Sequence, residues 1–411
     1  MLRFKSRARA AGVFLAAWST FFSAVAAGNA FAAPSIHFIN DFQVAPGVYY
    51  REFVLHSSHG QAYGHLLVAN LSNPHVTIDL LHSGAVSERA TVSQMADAEG
   101  AVGGINADFF DISEGRRHPV EAAGATVGPA IANGEVIKGA VPRGQRFGPA
   151  LPPGTSTQDV IAVGTDNVAR LERLTLFGTV STPNGKYSLR ALNQYALPVN
   201  GIGAFTSRWG SASRARAVCG TDYQRSDSCT DRTFEVTVRG GKVTGIHDSP
   251  DYGPIAPGTV VLVGREQGAE QLRQLRPGDH VQVTSGLASA DHVPLRFAAG
   301  GFPIVRDGQP LQGLDDHVPA IRTSAGYGDG GHTFYMLALD GSKVDRPGLT
   351  IKELAEVMTL LGADGAVDLD GGGSSTLVVR DPNSDKVTVR NHPSHGAERM
   401  VPEGIGVFAN E

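Results

Sequence analysis

The sequence predicts an α+β fold, with a mixed β-sheet core, a few flanking helices and a β-rich insertion. Runs of alternating apolar and polar residues recur along the chain, which is typical of half-buried strands. The 51 glycines against 7% aromatic residues indicate many tight turns shaped by the backbone. Two further segments carry strong helix-start signals. With 411 residues, the chain is long enough for one large or two ordinary domains.

Short strands are predicted from the first third of the chain through its middle. Residues 76–80, Val-Thr-Ile-Asp-Leu, alternate as strands do. Residues 234–238 alternate in the same way and lead into a Gly-Gly turn. Residues 126–294 carry no catalytic motif. We therefore expect them to form a β-rich insertion or subdomain within a single domain over residues 33–411.

Two helices are predicted from capping boxes. Thr350 is followed three residues later by a glutamate, so that hydroxyl and carboxylate can satisfy two orphan amides of a helix over 350–361. Apolar residues then follow at helical spacing, and Gly362 can close the helix in a left-handed turn. Thr91 opens a second segment of the same type, for which Gly100 is the expected stop.

Each predicted helix leads into an apolar strand that ends in polar residues. The two strand ends are residues 105–108, Ile-Asn-Ala-Asp, and residues 367–370, Val-Asp-Leu-Asp. The simpler explanation for this likeness is coincidence, because capping residues of this kind are common at helix starts. The alternative is a pseudo-repeat that brings both strand ends to one cleft.

The first 32 residues predict an export signal. Basic residues at positions 3–9 precede an apolar stretch over 12–27, and Ala30-Phe31-Ala32 offers small residues for signal peptidase. An uncut single-span anchor is the alternative. We expect a secreted or periplasmic protein with no membrane contact after signal cleavage. The 35 basic and 40 acidic residues give no bulk charge that favours nucleic acid as a partner.

The two cysteines predict a disulfide. Cys219 and Cys229 are separated by nine polar and small residues, and an exported chain meets an oxidising environment. A zinc site with two cysteine ligands needs further ligands, and none lie close in sequence. We therefore expect a structural Cys219–Cys229 bond within the β-rich insertion.

The strongest candidate for chemistry is the strand end at Asp370. Asp368 and Asp370 share one face of the strand and lie roughly 6–7 Å apart, because side chains alternate with period 2. Two such carboxyls suit a metal, or an acid and a base. The following turn could cradle an anion such as phosphate, with amides and hydroxyls from Gly371, Gly372, Gly373, Ser374 and Ser375. A glycine-rich hairpin with solvated aspartates is the alternative.

Other catalytic signatures are absent from the sequence. No lysine follows the glycines, so they form no Walker loop, and no Gly-x-Ser-x-Gly or His-Glu-x-x-His motif occurs. The 14 histidines are assigned no role. Arg322 could bind phosphate in a bidentate manner, although such an arginine is commonly a surface ion pair. Asp340, which precedes a glycine, fits either an ordinary turn or a functional site.

Several segments, taken in order, resemble the phosphodiester glycosidase family. They are residues 322–326 (Arg-Thr-Ser-Ala-Gly), 338–341 (Ala-Leu-Asp-Gly), 348–355 (Gly-Leu-Thr-Ile-Lys-Glu-Leu-Ala) and 369–376 (Leu-Asp-Gly-Gly-Gly-Ser-Ser-Thr). Upstream, residues 104–111 resemble the Asn-Gly-Gly-Phe-Phe element of the family, and residues 299–308 resemble its glycine-rich strand and turn. The middle third resembles bacterial, multi-hairpin members of the family more loosely.

The resemblance implies hydrolysis of the sugar C1–O bond in a sugar-1-phosphodiester, which releases a sugar and a phosphomonoester. Such a bond breaks through an oxocarbenium-like state, and the phosphate leaving group needs charge neutralisation. Asp370, with Asp108 or Asp340, would stabilise the cation or activate water. The residues that would bind substrate and its phosphate are Asn106, Arg322, Thr323, Gly371, Gly372, Gly373, Ser374 and Ser375.

The sequence departs from the family at two positions. Ala107-Asp108 replaces a Gly-Gly pair, and Asp368 stands where the family often has asparagine. Asp108, Asp368 and Asp370 are hard oxygen ligands that would suit a divalent ion such as Ca²⁺. Two alternatives to a glycosidase follow. One is a non-catalytic binder of cell-wall glycans, and the other is a metal-dependent phosphodiesterase that cleaves the P–O bond.

Overall fold

β-Strands dominate the structure, a computed structural model that describes residues 36–112, 120–146, 150–341 and 347–410. The predicted signal over residues 1–32 lies outside these ranges. The predicted α+β fold class is confirmed, because several β-sheets are joined by few and short helices. None of the helices in the described ranges is long and apolar enough to cross a membrane.

Two sheets carry the strand ends of interest, and strands are numbered in chain order. The first is eight-stranded, with the spatial order β1 (Ile36–Ala45), β2 (Val48–Ser57), β3 (Gly60–Asn70), β21 (Thr333–Leu339), β20 (Thr323–Gly328), β22 (Gly365–Leu369), β18 (Phe302–Arg306) and β19 (Gln309–Pro310). The second is five-stranded, with the order β24 (Val387–Val389), β23 (Leu377–Arg380), β5 (Gly103–Asn106), β25 (Glu403–Ala409) and β4 (Val76–His82).

The middle of the chain forms two more sheets. One is five-stranded, with the order β7 (Glu135–Lys138), β6 (Ala130–Ala132), β17 (Leu295–Gly300), β8 (Asp159–Gly164) and β9 (Ala169–Arg173). The other is seven-stranded, with the order β14 (Lys242–His247), β13 (Thr233–Arg239), β15 (Thr259–Arg265), β12 (Ile202–Phe205), β11 (Gly185–Leu192), β10 (Thr175–Thr182) and β16 (Gln282–Ala288). The expected strands at 76–80 and 234–238 lie in β4 and β13.

The predicted insertion over residues 126–294 corresponds to most of these two middle sheets. Strand β17 lies beyond residue 294 but pairs with β6 and β8, so the five-stranded sheet crosses the expected boundary. Pro34–Glu411 form one compact unit. The boundary of the insertion as a subdomain stays a prediction.

Both predicted helices are present with their capping boxes. Helix α1 (Val92–Glu99) is capped by Thr91 and ends at Gly100, which is left-handed with φ 78°. Helix α3 (Ile351–Leu360) is capped by Thr350, and Gly362 after it is left-handed with φ 92°. A further short helix, α2, spans Gln267–Leu272. The two capped helices were predictable because caps and apolar spacing are local in sequence.

The first two sheets pack face to face between the two capped helices. Met336 and Val367 of the first sheet and Ile105 of the second share one buried core cluster. Helix α3 covers the opposite face of the first sheet through residues such as Met358. Helix α1 covers the opposite face of the second sheet through residues such as Met95. This layering brings the ends of strands from two sheets to the same place.

The disulfide prediction is confirmed. Cys219 and Cys229 are bonded, and Cys219 is fully buried beside the seven-stranded sheet's connecting loops. The bond closes a loop before β13 and lies in the segment expected to form the insertion.

Candidate active site

Three predicted residues lie at one edge of the eight-stranded sheet. Strand β20 lies between β21 and β22 and runs antiparallel to both, and its first residue, Thr323, pairs with Ala338 on one side and Leu369 on the other. The start of β20 therefore coincides with the ends of both neighbours. This register places three predicted residues at the same edge of the sheet, namely Arg322, Asp340 and Asp370.

The end of β5 in the second sheet joins this edge. The Asn106 side-chain amide donates to the Asp370 carbonyl over 2.6 Å, and the Asp370 amide donates to the Ala107 carbonyl over 2.9 Å. The Asn106 side-chain oxygen accepts from the Thr376 amide at 3.0 Å, and the hydroxyl of Thr323 lies 3.3 Å from it. The two polar strand ends found in the sequence thus meet in one cleft.

Asp370 is a half-buried carboxyl at the centre of this cleft. Burial raises its pKa to about 7, and the negative charge of Asp108 adds to the rise. A hydrogen bond from the Ser374 hydroxyl and the positive charge of Arg399 oppose the rise. A carboxyl in this state exchanges its proton near neutral pH, which suits a group that acts in proton transfer or charge stabilisation.

Asp340 has the opposite protonation behaviour. One of its carboxylate oxygens accepts from His65 Nε2 at 2.9 Å and from the His392 amide at 2.9 Å. Burial alone would raise the pKa of Asp340, but the hydrogen bonds from the two histidines outweigh burial and lower it to about 2. Asp340 is therefore ionised at any working pH of the protein.

Asp108 lies deeper than Asp370. Its carboxylate accepts from the Gly128 amide at 2.5 Å and from the Phe109 amide at 2.8 Å. Burial raises its pKa to about 6, against the nearby charge of Lys138. A Cβ at Gly300 would lie 2.3 Å from one carboxylate oxygen, so only glycine fits against it. Asp108 is thus enclosed by backbone groups, and its negative charge raises the pKa of Asp370.

Arg322 and Asp368 lie behind the cleft. Arg322 is 8% exposed and donates from Nε to the Leu349 carbonyl at 2.9 Å and from Nη2 to the Val318 carbonyl at 3.0 Å. Asp368 is 2% exposed, and its Oδ1 has no hydrogen-bond partner among the described residues. Burial raises the pKa of Asp368 to about 7 although the charge of Arg322 opposes it.

Most amides of the glycine turn already donate to other groups of the protein. The Gly372 amide donates to the Ile321 carbonyl, and the Ser374 and Ser375 amides donate to carbonyls of Gly371 and Gly372 at 3.2 and 3.3 Å. The Ser375 hydroxyl lies 2.9 Å from that of Thr323. These bonds give the turn a fixed shape, and they leave the amide of Gly373 as the best candidate to meet a ligand.

Arg399 is the cation at the turn, and the sequence analysis missed it. Its Nη1 donates to the Ser374 hydroxyl at 3.1 Å, and a Cβ at Gly373 would lie 2.4 Å from its Nη2. Arg399 is half-buried and also lines a cavity of about 690 Å³ together with Arg89 and Phe110. This arginine, unlike Arg322, therefore presents its charge both to Asp370 and to open space.

Other polar residues of the site were also missed. Lys138 and Glu403 are buried beside Asp108, and burial lowers the pKa of Lys138 and raises that of Glu403, each to about 8. His65 and His392 contact Asp340. No local signal could have found these four, because their partners are distant in the chain, as in the separation of 275 residues between His65 and Asp340.

The expected metal ligands do not form a common ligand set. Across the described ranges, no group of three or more histidine, cysteine, aspartate or glutamate side chains could hold a metal ion. Both Asp108 oxygens already accept backbone amides. A divalent ion bound by Asp108, Asp368 and Asp370 stays a prediction, and the chemical steps proposed for this protein do not depend on a metal.

The family resemblance is confirmed by a direct comparison. Residues 232–408 match the model of the phosphodiester glycosidase family. The matched segment includes Arg322, Asp340, Asp370 and Arg399, and thus the whole sheet edge. Asn106 and Asp108, from the second sheet, lie outside it. A comparison with curated proteins finds no match.

Two solved bacterial structures share the fold at low sequence identity, and a third solved structure matches less well. A hypothetical protein from Synechocystis is 19% identical with a TM-score of 0.67, and the match covers 92% of this chain but only 64% of that protein. A Burkholderia pseudomallei protein described as exported is 18% identical with a TM-score of 0.69, and the match covers 92% and 96% of the two chains. The zebrafish N-acetylglucosamine-1-phosphodiester α-N-acetylglucosaminidase catalytic domain is 13% identical, with a TM-score of 0.44 and coverage of 92% and 88%.

Proposed function

We propose that this protein is a hydrolase that cleaves the glycosidic C1–O bond of a sugar-1-phosphodiester and releases a free sugar and a phosphomonoester. The observation that carries the proposal is the pair of carboxyls at one sheet edge with opposite pKa shifts, Asp340 at about 2 and Asp370 at about 7. Carboxyl pairs whose pKa values are pushed apart are typical of acid–base sites. The phosphodiester glycosidase match over residues 232–408 supports the same reaction class.

The scissile phosphate is placed at the glycine turn beside Arg399. A guanidinium is suited to a phosphate oxygen pair, and the Gly373 amide offers a further donor. Asn106 and Thr323 hold the turn to the sheet, and Arg322 fixes the start of β20 through backbone carbonyls. In this assignment Arg399 takes the phosphate-binding role first expected of Arg322.

Asp370 then faces the sugar side of the bond. As C1–O cleavage advances, positive charge develops on the sugar ring, and a nearby carboxylate stabilises it. The electron pair of the broken bond goes to the phosphate, whose charge Arg399 offsets. Asp108 acts through its negative charge on Asp370, because backbone amides enclose its own carboxylate.

Export is part of the proposal. A disulfide bond persists in oxidising compartments outside the cytoplasm, and Cys219 and Cys229 are bonded. This supports the predicted signal peptide and a glycan or sugar-phosphate substrate met outside the cell or in the periplasm.

The test is the position of water oxygen in the products. Hydrolysis of a panel of sugar-1-phosphodiesters in ¹⁸O-labelled water, followed at once by mass spectrometry, should place the label in the sugar and none in the phosphomonoester. Early sampling matters because a reducing sugar exchanges its C1 oxygen with solvent. Label in the phosphate would mean P–O cleavage and would overturn the glycosidase. Tight glycan binding without turnover on any member of the panel would indicate a non-catalytic binder.

A further inference from the structure

We propose that His392 is the general base that takes a proton from the water attacking the sugar C1, and that Asp340 holds its imidazole in the reactive tautomer. The inference rests on the proposed hydrolysis and adds a residue that neither the sequence motifs nor the family match assigns to a role.

The geometry around His392 resembles a base with its orienting carboxylate. His392 Nδ1 lies 3.1 Å from the Asp340 oxygen that also accepts the His392 amide. The backbone and the ring of His392 therefore both contact one carboxylate oxygen. An ionised carboxylate is only an acceptor, so Nδ1 carries the hydrogen. In the neutral imidazole, Nε2 is then the nitrogen that can accept a proton. The side chain is 70% exposed, which leaves this far end of the ring open to water and substrate.

Asp340 is itself fixed from behind by a buried relay. His65 Nε2 donates to Asp340, and His65 Nδ1 lies 2.8 Å from the Tyr50 hydroxyl. His65 and Tyr50 are 2% and 3% exposed. The two histidines that contact Asp340 are His65 on the buried side and His392 on the open side, and the charge of Asp340 also acts on Tyr50. His65 and Tyr50 are positioning residues, because they act through Asp340.

The loop that carries His392 covers the glycine turn. Asn391 donates to the Ser375 carbonyl at 2.8 Å, and the Ser394 hydroxyl donates to the Gly372 carbonyl at 3.2 Å. Residues on both sides of His392 therefore contact the turn that ends in the proposed phosphate site. This places the loop that carries the imidazole beside the turn that follows Asp370.

The step is balanced without any further reagent. The water oxygen bonds to C1 while the C1–O bond to phosphate breaks, and the electron pair of that bond leaves with the phosphate. The water proton passes to His392 Nε2, and the imidazolium is stabilised by Asp340. His392 returns the proton to solvent before the next turnover.

The decisive variant is His392→Asn. An asparagine amide can still donate to Asp340 in place of Nδ1, but it offers no group at the position of Nε2. We expect kcat to fall by a factor on the order of 10²–10⁴. His317→Gln is the matched control, since its side chain is 86% exposed and pairs with Asp316 rather than with Asp340. A variant at position 392 within threefold of wild type would overturn the proposal.

A second measurement does not depend on turnover. ¹⁵N-resolved NMR of the imidazoles should find His392 protonated at Nδ1 in wild type, with that preference lost in Asp340→Asn. A neutral His392 protonated at Nε2 in wild type would overturn the inference in any case. Wild type without activity on any sugar-1-phosphodiester would remove the proposed function and with it the catalytic role of His392. If the wild type and the His392→Asn variant are both active, only the catalytic role of His392 is removed and the proposed function stands.

Discussion

Replacing Asp368 by asparagine should change how the stability of the protein depends on pH. Asp368 is 2% exposed, and burial raises its pKa to about 7 from an ordinary value of 3.8. The folded state therefore binds this proton more tightly than the unfolded state. Protonation stabilises the fold at low pH, and that stabilisation is lost as pH rises through 7. Asparagine has a similar shape and cannot ionise, so the variant lacks this loss.

The magnitude follows from the two pKa values. By proton linkage, the group contributes about 3 kcal/mol of unfolding free energy at pH 5 and close to zero at pH 8. The variant should therefore gain about 2–3 kcal/mol relative to wild type between these pH values. Any fixed cost of placing an amide at this position is the same at both pH values and cancels. Asp370 and Glu403 also have raised pKa values, but they are present in both proteins and cancel to first order.

The assay is urea unfolding of both proteins at pH 5 and pH 8 in the same salt. Asp385→Asn, which removes an exposed carboxylate, controls for the change in net charge. A variant whose stability relative to wild type does not rise from pH 5 to pH 8 would refute the reasoning. It would mean that Asp368 is ionised and held by a cation, and a repeat in EDTA would then show whether that cation is a divalent metal.

Three further outcomes are expected. Asp370→Asn should lower kcat by a factor on the order of 10²–10⁴ in a protein with unchanged unfolding midpoint, and wild-type rates would remove Asp370 from the reacting centre. Arg399→Gln should raise KM about 10- to 100-fold through the loss of a charge-assisted bond to phosphate. Arg322→Gln should mainly lower thermal stability. Equal effects of the two variants on KM would show that both arginines touch substrate. The Cys219→Ser/Cys229→Ser double variant should lose about 3 kcal/mol of stability from loop closure while folded protein keeps its kcat, and a folded but inactive variant would contradict a structural role.

Local sequence signals predicted the framework of the site well. The capping boxes at Thr91 and Thr350 located both helices, because a cap joins residues three apart in sequence. Apolar alternation located β4 and β22 for a similar reason. The glycines after Asp370 correctly marked a turn. Their amides were expected to face a ligand, but those of Ser374 and Ser375 bond within the turn and that of Gly372 bonds to the Ile321 carbonyl, since a buried backbone must first satisfy its own polar groups.

The polar partners within the site could not be predicted in the same way. Whether Asp340 is ionised depends on His65 and His392, which come from strand β3 and from a loop after β24. Which arginine faces the cleft depends on carbonyl groups that happen to lie beside Arg322 after folding. Sequence alone assigns a charge to each residue type. Only the fold decides which charges are buried, paired or open to a substrate.

The antiparallel register of β20 with its two neighbours explains why two aspartates of one edge can differ so much in pKa. Asp340 and Asp370 both end strands beside Arg322, but on opposite sides of β20. On one side, β3 supplies a histidine that donates to the carboxylate. On the other side, the second sheet supplies the backbone of Ala107 and the negative charge of Asp108. A slip of one residue in this register would turn the polar side chains to the opposite face of the sheet. The pairing of strands therefore sets the protonation states on which the proposed chemistry depends.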